Sequence, residues 1–408
     1  MNKTLTVIGG GAAGFFAAIN AARLNPLLRV TLLEKSNKLL SKVKVSGGGR
    51  CNVCHHCFEV DELIKKYPRG KNFLKKAFYS FSTKDTVEWF AERGVKLKTE
   101  ADGRMFPVTD NSQTIIDCLL KEADKYAVEI LMNSEVKSII KTNNIFKLET
   151  SKGQLESDFL CIACGGFPKA AHFDWITQTG HSIEFPVPSL FTFNIPGNSI
   201  TKLMGISVPA ATVKITGTKF IQHGPLLITH WGLSGPAVLK LSAWYAREFA
   251  QKNYSFDISV NWLEHYTQES LRLEWPRLRS MNSAAKIYNR NPFEIPARLW
   301  QCLLNESEIY EDARWADVTT KQQNLLIKTL TEKAFSVKGK TTFKEEFVTC
   351  GGVKLSEIDA HTMQSKIVPG LYFAGEIMDV DGITGGFNFQ HAWTSGYLAA
   401  KDIAGNVN

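Results

Sequence analysis

The sequence predicts an α/β fold whose parallel sheet is assembled from both ends of the chain and interrupted by a long insertion. Three observations predict it. A β-type run, Thr4–Ile8, passes through a glycine-rich turn into an alanine-rich helical stretch and a second apolar run over 28–34, which is a βαβ opening. The texture changes at Pro186-Val187-Pro188 to a β-rich and then a helical pattern. From Phe347 onward the glycine-rich α/β texture returns. With 408 residues the chain suits two or three domains. The expected division is 1–188 and 343–408 for a nucleotide-binding domain, with an insertion over 189–342 that is β-rich to about 235 and helical from about 236.

Each element has its own warrant. Helical patterns occupy 59–66, 72–79, 84–92 and 113–126, and strand patterns 128–133, 136–141, 146–150 and 158–163, the last ending at Gly165-Gly166. In the insertion, residues 211–215 alternate as a strand does, and 236–337 reads as largely helical, interrupted near 256–260 and by Pro276, Pro292 and Pro296. Apolar residues at i, i+3, i+4 spacing in 295–304 and 325–335 read as core-facing helices. A last helix is predicted over 389–404.

Composition narrows the function classes. At 44% hydrophobic and 22% charged residues, the chain is an ordinary folding sequence rather than a disordered one. The net charge of +8 is modest for this length and favours an anionic ligand such as a dinucleotide, or weak nucleic-acid binding. The basic residues are scattered, with no interleaved aromatic–basic run, so they read as a solvated surface and no nucleic-acid partner is expected. The apolar stretch 5–22 mimics a leader or a membrane span, but Gly9, Gly10, Gly11 and Gly14 crowd its middle, and glycine costs about 1 kcal/mol in a helix interior. The expectation is therefore a cytoplasmic protein without a membrane partner, whose eight cysteines are thiols.

Gly9-x-Gly11-x-x-Gly14 lies between the first strand and the first helix, and Glu34 ends the next strand. Such glycines let backbone approach a pyrophosphate, the helix start offers free N–H groups, and the acid accepts ribose hydroxyls. This motif alone leaves NAD and FAD open. A second glycine-rich helix start follows near the other end, where 370–376 leads into Asp379, Asp381, Gly382, Gly385 and Gly386. Two such starts suit a long dinucleotide, FAD, with pyrophosphate at one and isoalloxazine at the other.

On the segments VIGGGAAGFFAA (7–18), SGGGRCN (46–52), GRMFP (103–107), ACGGFP (163–168), THWGLSGPA (229–237) and GLYFAGEIMDVDGITGGFNFQHAWTSGY (370–397), the chain resembles the HI0933-like family of FAD-dependent oxidoreductases. The resemblance implies a Rossmann-like FAD-binding domain of the two-dinucleotide-binding type, interrupted by a β-barrel-like and helical insertion. It assigns to the cofactor Gly9, Gly11, Ala12, Ala13 and Gly14; Glu34 and Lys35; Ser46, Gly47, Gly48, Arg50, Cys51 and Asn52; Val136; Ala163 and Gly165; and Gly375, Glu376, Asp381, Gly386, Phe387 and Asn388. This sequence departs from the family pattern where Cys54-His55 replaces Thr-Asn and where Cys164 replaces Thr, which bears on the pocket's shape.

Three signals carry competing readings. The cluster Cys51, Cys54, His55, His56, Cys57 admits zinc, a flavin-coupled dithiol, haem attachment or plain packed thiols, and no metal is assigned. His230 and Arg50 are the candidate catalytic residues, a proton donor and a positive charge near flavin or substrate, against roles in satisfying backbone groups. His391 reads as a core histidine. The function expected is NAD(P)H-driven reduction of an activated C=C or C=O of a small organic substrate, NAD(P)H docking transiently. The alternatives are an amine oxidase using O₂ and a flavin-containing RNA- or partner-binding module.

Overall fold

The computed structural model describes residues 2–341 and 348–407, so the expected boundary at 342/343 and the expected return of α/β texture at Phe347 lie outside the described residues. The chain divides into two compact units, Met1–Ser189 with Phe343–Asn408, and Leu190–Thr342.

The first unit is built on a five-stranded parallel sheet. Its order is Leu371–Phe373, Phe159–Ile162, Thr4–Ile8, Arg29–Leu33 and Glu129–Leu131. Val7, Leu32, Leu160, Cys161 and Ile162 have no exposed surface, as strands covered on both faces require. The strand from the C-terminal segment joins Phe159–Ile162 in parallel, so both ends of the chain complete one sheet. The first helix, Ala12–Leu24, and the last, Phe387–Gly405, pack closely: a Cβ on Gly396 would lie 2.7 Å from the Ala13 carbonyl oxygen. Small residues let the two backbones approach.

The second unit holds a seven-stranded sheet in the order Lys333–Lys338, Ser255–Asn261, Ser207–Ile215, Ile221–Ile228, Gly232–Ser234, Thr192–Asn194 and Lys340–Thr341. Its first and last strands are separated in sequence by Gly339 alone, so the sheet closes on itself as a barrel. Inward residues such as Val213, Ile258, Val260 and Val337 are buried. Helices Gln268–Asn282, Ala297–Glu306 and Thr320–Thr331 pack around Trp262, Trp275, Trp300 and Trp315.

Two expectations are corrected here. Pro276 sits inside Gln268–Asn282 rather than interrupting it, because buried Leu271, Trp275 and Leu278 hold that helix from its packed face. The stretch 325–335 is not one helix: the helix ends at Thr331 and Phe335 lies in a strand, where 334–338 alternates exposed and buried. Among the described residues no helix is long and apolar enough to cross a membrane.

Candidate functional site

The glycines at the first turn divide into two kinds. A Cβ on Gly9 would lie 2.4 Å from the Ala163 carbonyl oxygen, and one on Gly14 only 1.9 Å from that of Gly9. These glycines let strand, turn and helix touch. Gly11, which caps the first helix without a side-chain hydrogen bond, has nothing within 4 Å of an added Cβ. The helix start, with only Ala12 and Ala13 behind it, is thus open to an incoming group. Gly165, at the end of the neighbouring strand beyond buried Ala163, is open in the same sense.

Glu34 ends the second strand. One carboxylate oxygen accepts from the Gly10 N–H at 2.9 Å, and the other from the Ser36 N–H and hydroxyl at 2.8 and 2.7 Å. Lys35 lies with its ammonium 5.8 Å from the Phe167 ring. The Glu34 carbonyl accepts from Ser134 N–H at 2.9 Å, which brings the segment leading to Val136 beside the acid.

The 46–52 segment is a left-handed bend. The helix Ser41–Gly49 loses helical geometry at Ser46, and Gly47, Gly48 and Gly49 all take positive φ, a run only glycine tolerates cheaply. The Ser46 hydroxyl donates to the Val43 carbonyl, and the Ser46 carbonyl accepts from Cys51 N–H, both at 3.0 Å. Gly48 and Gly49 face open space. The Asn52 amide, turned so that both its ends are satisfied, donates to the Cys54 carbonyl and accepts from Gly386 N–H, each at 2.9 Å. One side chain thereby ties this bend to the start of the last helix.

Arg50 is committed elsewhere. Its guanidinium stands 4.0 Å from the Phe106 ring centroid and pairs with Glu100 at 2.5 Å and Asp110 at 3.5 Å. The cysteines beside it are packed thiols: burial pushes Cys51 up to about 12 and raises Cys54 as well, so neither is a thiolate at neutral pH. Among the described residues no His/Cys/Asp/Glu group has metal-holding geometry.

The C-terminal residues are mostly engaged within the protein. Glu376 accepts from Thr349 N–H at 2.9 Å and from the Lys42 ammonium at 2.7 Å. Gly375 packs against Ala13, donates its N–H to Ser395, and accepts from His391 Nε2 at 3.1 Å. Asp381 has no exposed surface; Arg69 grips both its oxygens and the Ser189 hydroxyl donates to it at 2.7 Å. Burial pushes this carboxyl up, and the Arg69 charge opposes that rise. A Cβ on Gly386 would meet the Cys54 backbone at 2.7 Å. Phe387 is buried, with the His55 ring stacked on it at 4.8 Å, and Asn388 closes a two-way bond with the Gly382 backbone at 2.8 and 3.0 Å. The side chains of Asp381, Phe387 and Asn388 are therefore spent on internal contacts, which leaves backbone to meet a ligand.

His230 belongs to the second unit, whereas every other named candidate belongs to the first. It is exposed beside Trp231, in a turn between strands Ile221–Ile228 and Gly232–Ser234 rather than directly between strand and helix. Sequence reasoning named His55 only as a member of the cysteine–histidine cluster and as a departure from the family's Thr-Asn, and it missed Lys42, Thr349 and Arg69. The His55 Nε2 lies 3.1 Å from the Asp102 carbonyl and burial lowers its pKa, so the ring is a neutral Nε2–H tautomer.

Open backbone at Gly11, Gly48, Gly49 and Gly165, an uncapped helix start, and a ribose-type acid beside them fit an extended dinucleotide. Residues 3–402 match the family described as HI0933-like protein Rossmann domain. The chain belongs to the HI0933-like family. As an HI0933-like flavoprotein it is an FAD-dependent oxidoreductase. Two relatives are named ribosomal RNA dihydrouridine synthase. That of Escherichia coli K12 is 32% identical over 97% of both chains, and that of Haemophilus influenzae is 30% identical over 98% of both. A third, the 3-dehydro-bile acid delta(4,6)-reductase of Clostridium scindens, is 26% identical over 99% of both. Among solved structures, a 3-ketosteroid delta1-dehydrogenase from Sterolibacterium denitrificans aligns with TM-score 0.52 at 13% identity, covering 99% of this chain and 100% of that one.

The RNA-modifying relatives overturn the expectation that nucleic acid plays no part. That expectation rested on the absence of a basic run in the sequence, and folding gathers charges that sequence scatters.

Proposed function

We propose that this HI0933-like enzyme reduces the C5=C6 bond of uridine in ribosomal RNA, with NAD(P)H as electron donor. The pair of relatives named ribosomal RNA dihydrouridine synthase, matched along nearly their whole length, carries the reading. Dihydrouridine is uridine with that bond saturated, and the bond is conjugated to the C4 carbonyl. The name of the bile-acid relative likewise describes saturation of bonds conjugated to a ketone. One chemistry serves both: a hydride to the β-carbon and a proton to the α-carbon.

FAD, when bound, supplies two-electron hydride transfer between the nicotinamide donor and that β-carbon. The chain's own residues bind and tune. The backbone at Gly11, Ala12 and Ala13 receives the pyrophosphate at the helix start, and Gly9 and Gly14 let the strand, turn and helix close tightly enough to form it. Glu34, whose Oε2 is engaged by the Gly10 N–H alone and so retains a free lone pair, accepts from the adenosine ribose, with Lys35 and Val136 flanking. Ala163 and Gly165 leave room for the dinucleotide. Ser46, Gly47, Gly48, Cys51 and Asn52 shape the flavin side, where Gly375, Glu376 and the backbone of Asp381, Gly386, Phe387 and Asn388 complete it. The positive end of the last helix favours negative charge on the flavin. Arg50, bound to Glu100, positions this bend. The proton is assigned to His230.

The test is anaerobic incubation of the purified flavoprotein with NADH or NADPH and ribosomal RNA from an Escherichia coli strain lacking its relative. Nucleoside mass spectrometry should find dihydrouridine, two mass units above uridine, and the flavin band near ~450 nm should bleach with one nicotinamide. Ribosomal RNA left unreduced beside a reduced 3-keto-4,6-diene steroid would move the substrate to small enones. A His230→Ala variant that keeps FAD and full turnover removes His230 from the reaction.

A further inference from the structure

The net positive charge of this chain is concentrated in two segments of one unit. The segments 190–261 and 333–341, which hold the barrel strands together with the helices Pro236–Trp244 and Ala246–Gln251, carry nine Lys+Arg against two Asp+Glu, a net +7 of the chain's +8. The helical segment 262–332 carries nine against ten, and the remainder 30 against 28. Nothing in the sequence order shows this, because the two barrel segments lie 71 residues apart.

Strand register gathers the lysines further. Lys214 pairs with Ser259, which pairs in turn with Ala334. Lys338 is four residues along that last strand and so on the same outward face, roughly 16 Å from Lys214 by strand geometry. Thr216 N–H donates to the Asp257 carbonyl, which brings the 216–220 turn and Lys219 to the level of Ser255 and Lys338. Lys252 precedes Ser255, and the Lys340 ammonium stands 4.7 Å from the Tyr254 ring. Lys214, Lys219, Lys252 and Lys338 are exposed, and among the described residues none is paired with a carboxylate. Among the carboxylates near these strands, Asp257 accepts from the Ser336 hydroxyl at 2.6 Å and Glu264 lies 3.4 Å from His223.

We propose that this lysine-rich end of the barrel is the docking surface for the RNA phosphate backbone, a proposal that rests on the reading of RNA as substrate. Unneutralised cations clustered over such a length suit several phosphates of one strand. Around them the outward face presents Ser255, Ser259 and Ser336, side chains that hydrogen-bond phosphate and sugar oxygens. Among the described residues it lacks the run of large apolar side chains by which a membrane-binding surface enters lipid, Ile221 beside Lys214 standing as a single exposed one.

The test compares two charge-matched triple variants of the FAD-loaded protein, both retaining their flavin spectrum. One is Lys214→Glu, Lys219→Glu, Lys338→Glu in the barrel; the other is Lys71→Glu, Lys84→Glu, Lys137→Glu in the first unit. Binding to deproteinised Escherichia coli ribosomal RNA is followed by fluorescence anisotropy across a KCl series. The barrel variant should bind at least about tenfold more weakly, with a salt slope lower by about 2, as the loss of three phosphate contacts implies. The other triple should bind within about threefold of the parent. Equal losses in the two, or no loss in the barrel triple, overturns the proposal. So does capture of the parent but not the barrel triple by phosphatidylglycerol vesicles while RNA binding is unchanged. RNA bound through the lysines but never reduced would defeat the substrate reading and leave the surface standing.

Discussion

The first and the last helix of the nucleotide-binding unit both begin on glycines, yet those glycines face different neighbours. At the first helix, Gly9 and Gly14 are closed by protein while Gly11 stands open. At the last, Gly382 meets Phe387 and Tyr67, Gly385 meets Phe387, and Gly386 meets Cys54 and Asn52. The first start is shaped as a receptor for a group from outside. The second is a packed joint, locked by Arg69–Asp381 and by the Asn52 bridge. Glycine in a motif signals close approach, and the tertiary structure decides what does the approaching.

The largest test of the packed joint is Asp381→Ala. It takes the carboxylate from a buried guanidinium and should cost about 3–5 kcal/mol in urea unfolding; a loss below about 1 kcal/mol would mean that the joint is not locked there. Next is Gly14→Ala, whose methyl meets the Gly9 carbonyl and should cost about 3 kcal/mol, because neither backbone segment has room to yield.

Acid should weaken the last helix by a different route. Burial drives the His391 pKa from 6.5 down to about 4, so the folded protein holds a neutral ring that the unfolded chain protonates first. Its contribution is whole above pH 6.5 and is lost as pH falls toward 4, by about 3 kcal/mol. Burial lowers His55 and His181 in the same direction. Unfolding of the parent and of His391→Leu across that window should show a shallower decline in the variant.

The smallest effect on stability, and the sharpest for the comparison, belongs to Gly11→Ala. With open space around it, the methyl should change stability by under about 0.5 kcal/mol yet weaken FAD binding tenfold or more, or about 1.4 kcal/mol. Flavin absorbance after gel filtration, set beside an unfolding curve, separates the two. A variant that unfolds but holds FAD normally would erase the distinction between the two helix starts.

Much of the first unit was legible because its signals are local. The βαβ opening, Glu34 at the strand end and the C-terminal helix start each follow from residues adjacent in sequence. The role of Asp381 was not legible, since its partners Arg69 and Ser189 lie 312 and 192 residues away. Arg50 read as a free charge because nothing near it in sequence announces Glu100. The stretch 325–335 misled for the opposite reason: its apolar spacing suits a helix as far as Thr331, and only pairing with Ser255–Asn261 turns the remainder into a strand.

By itself the sequence determined the class of fold, the family and the cofactor, because a pyrophosphate site is made from a few contiguous residues whose backbone does the binding. Tertiary structure alone decided which glycines face a ligand, which charges are already paired, and that nearly all the net charge collects in the two barrel segments. Those are properties of distance between residues remote in the chain, and register and packing, not local propensity, set such distances.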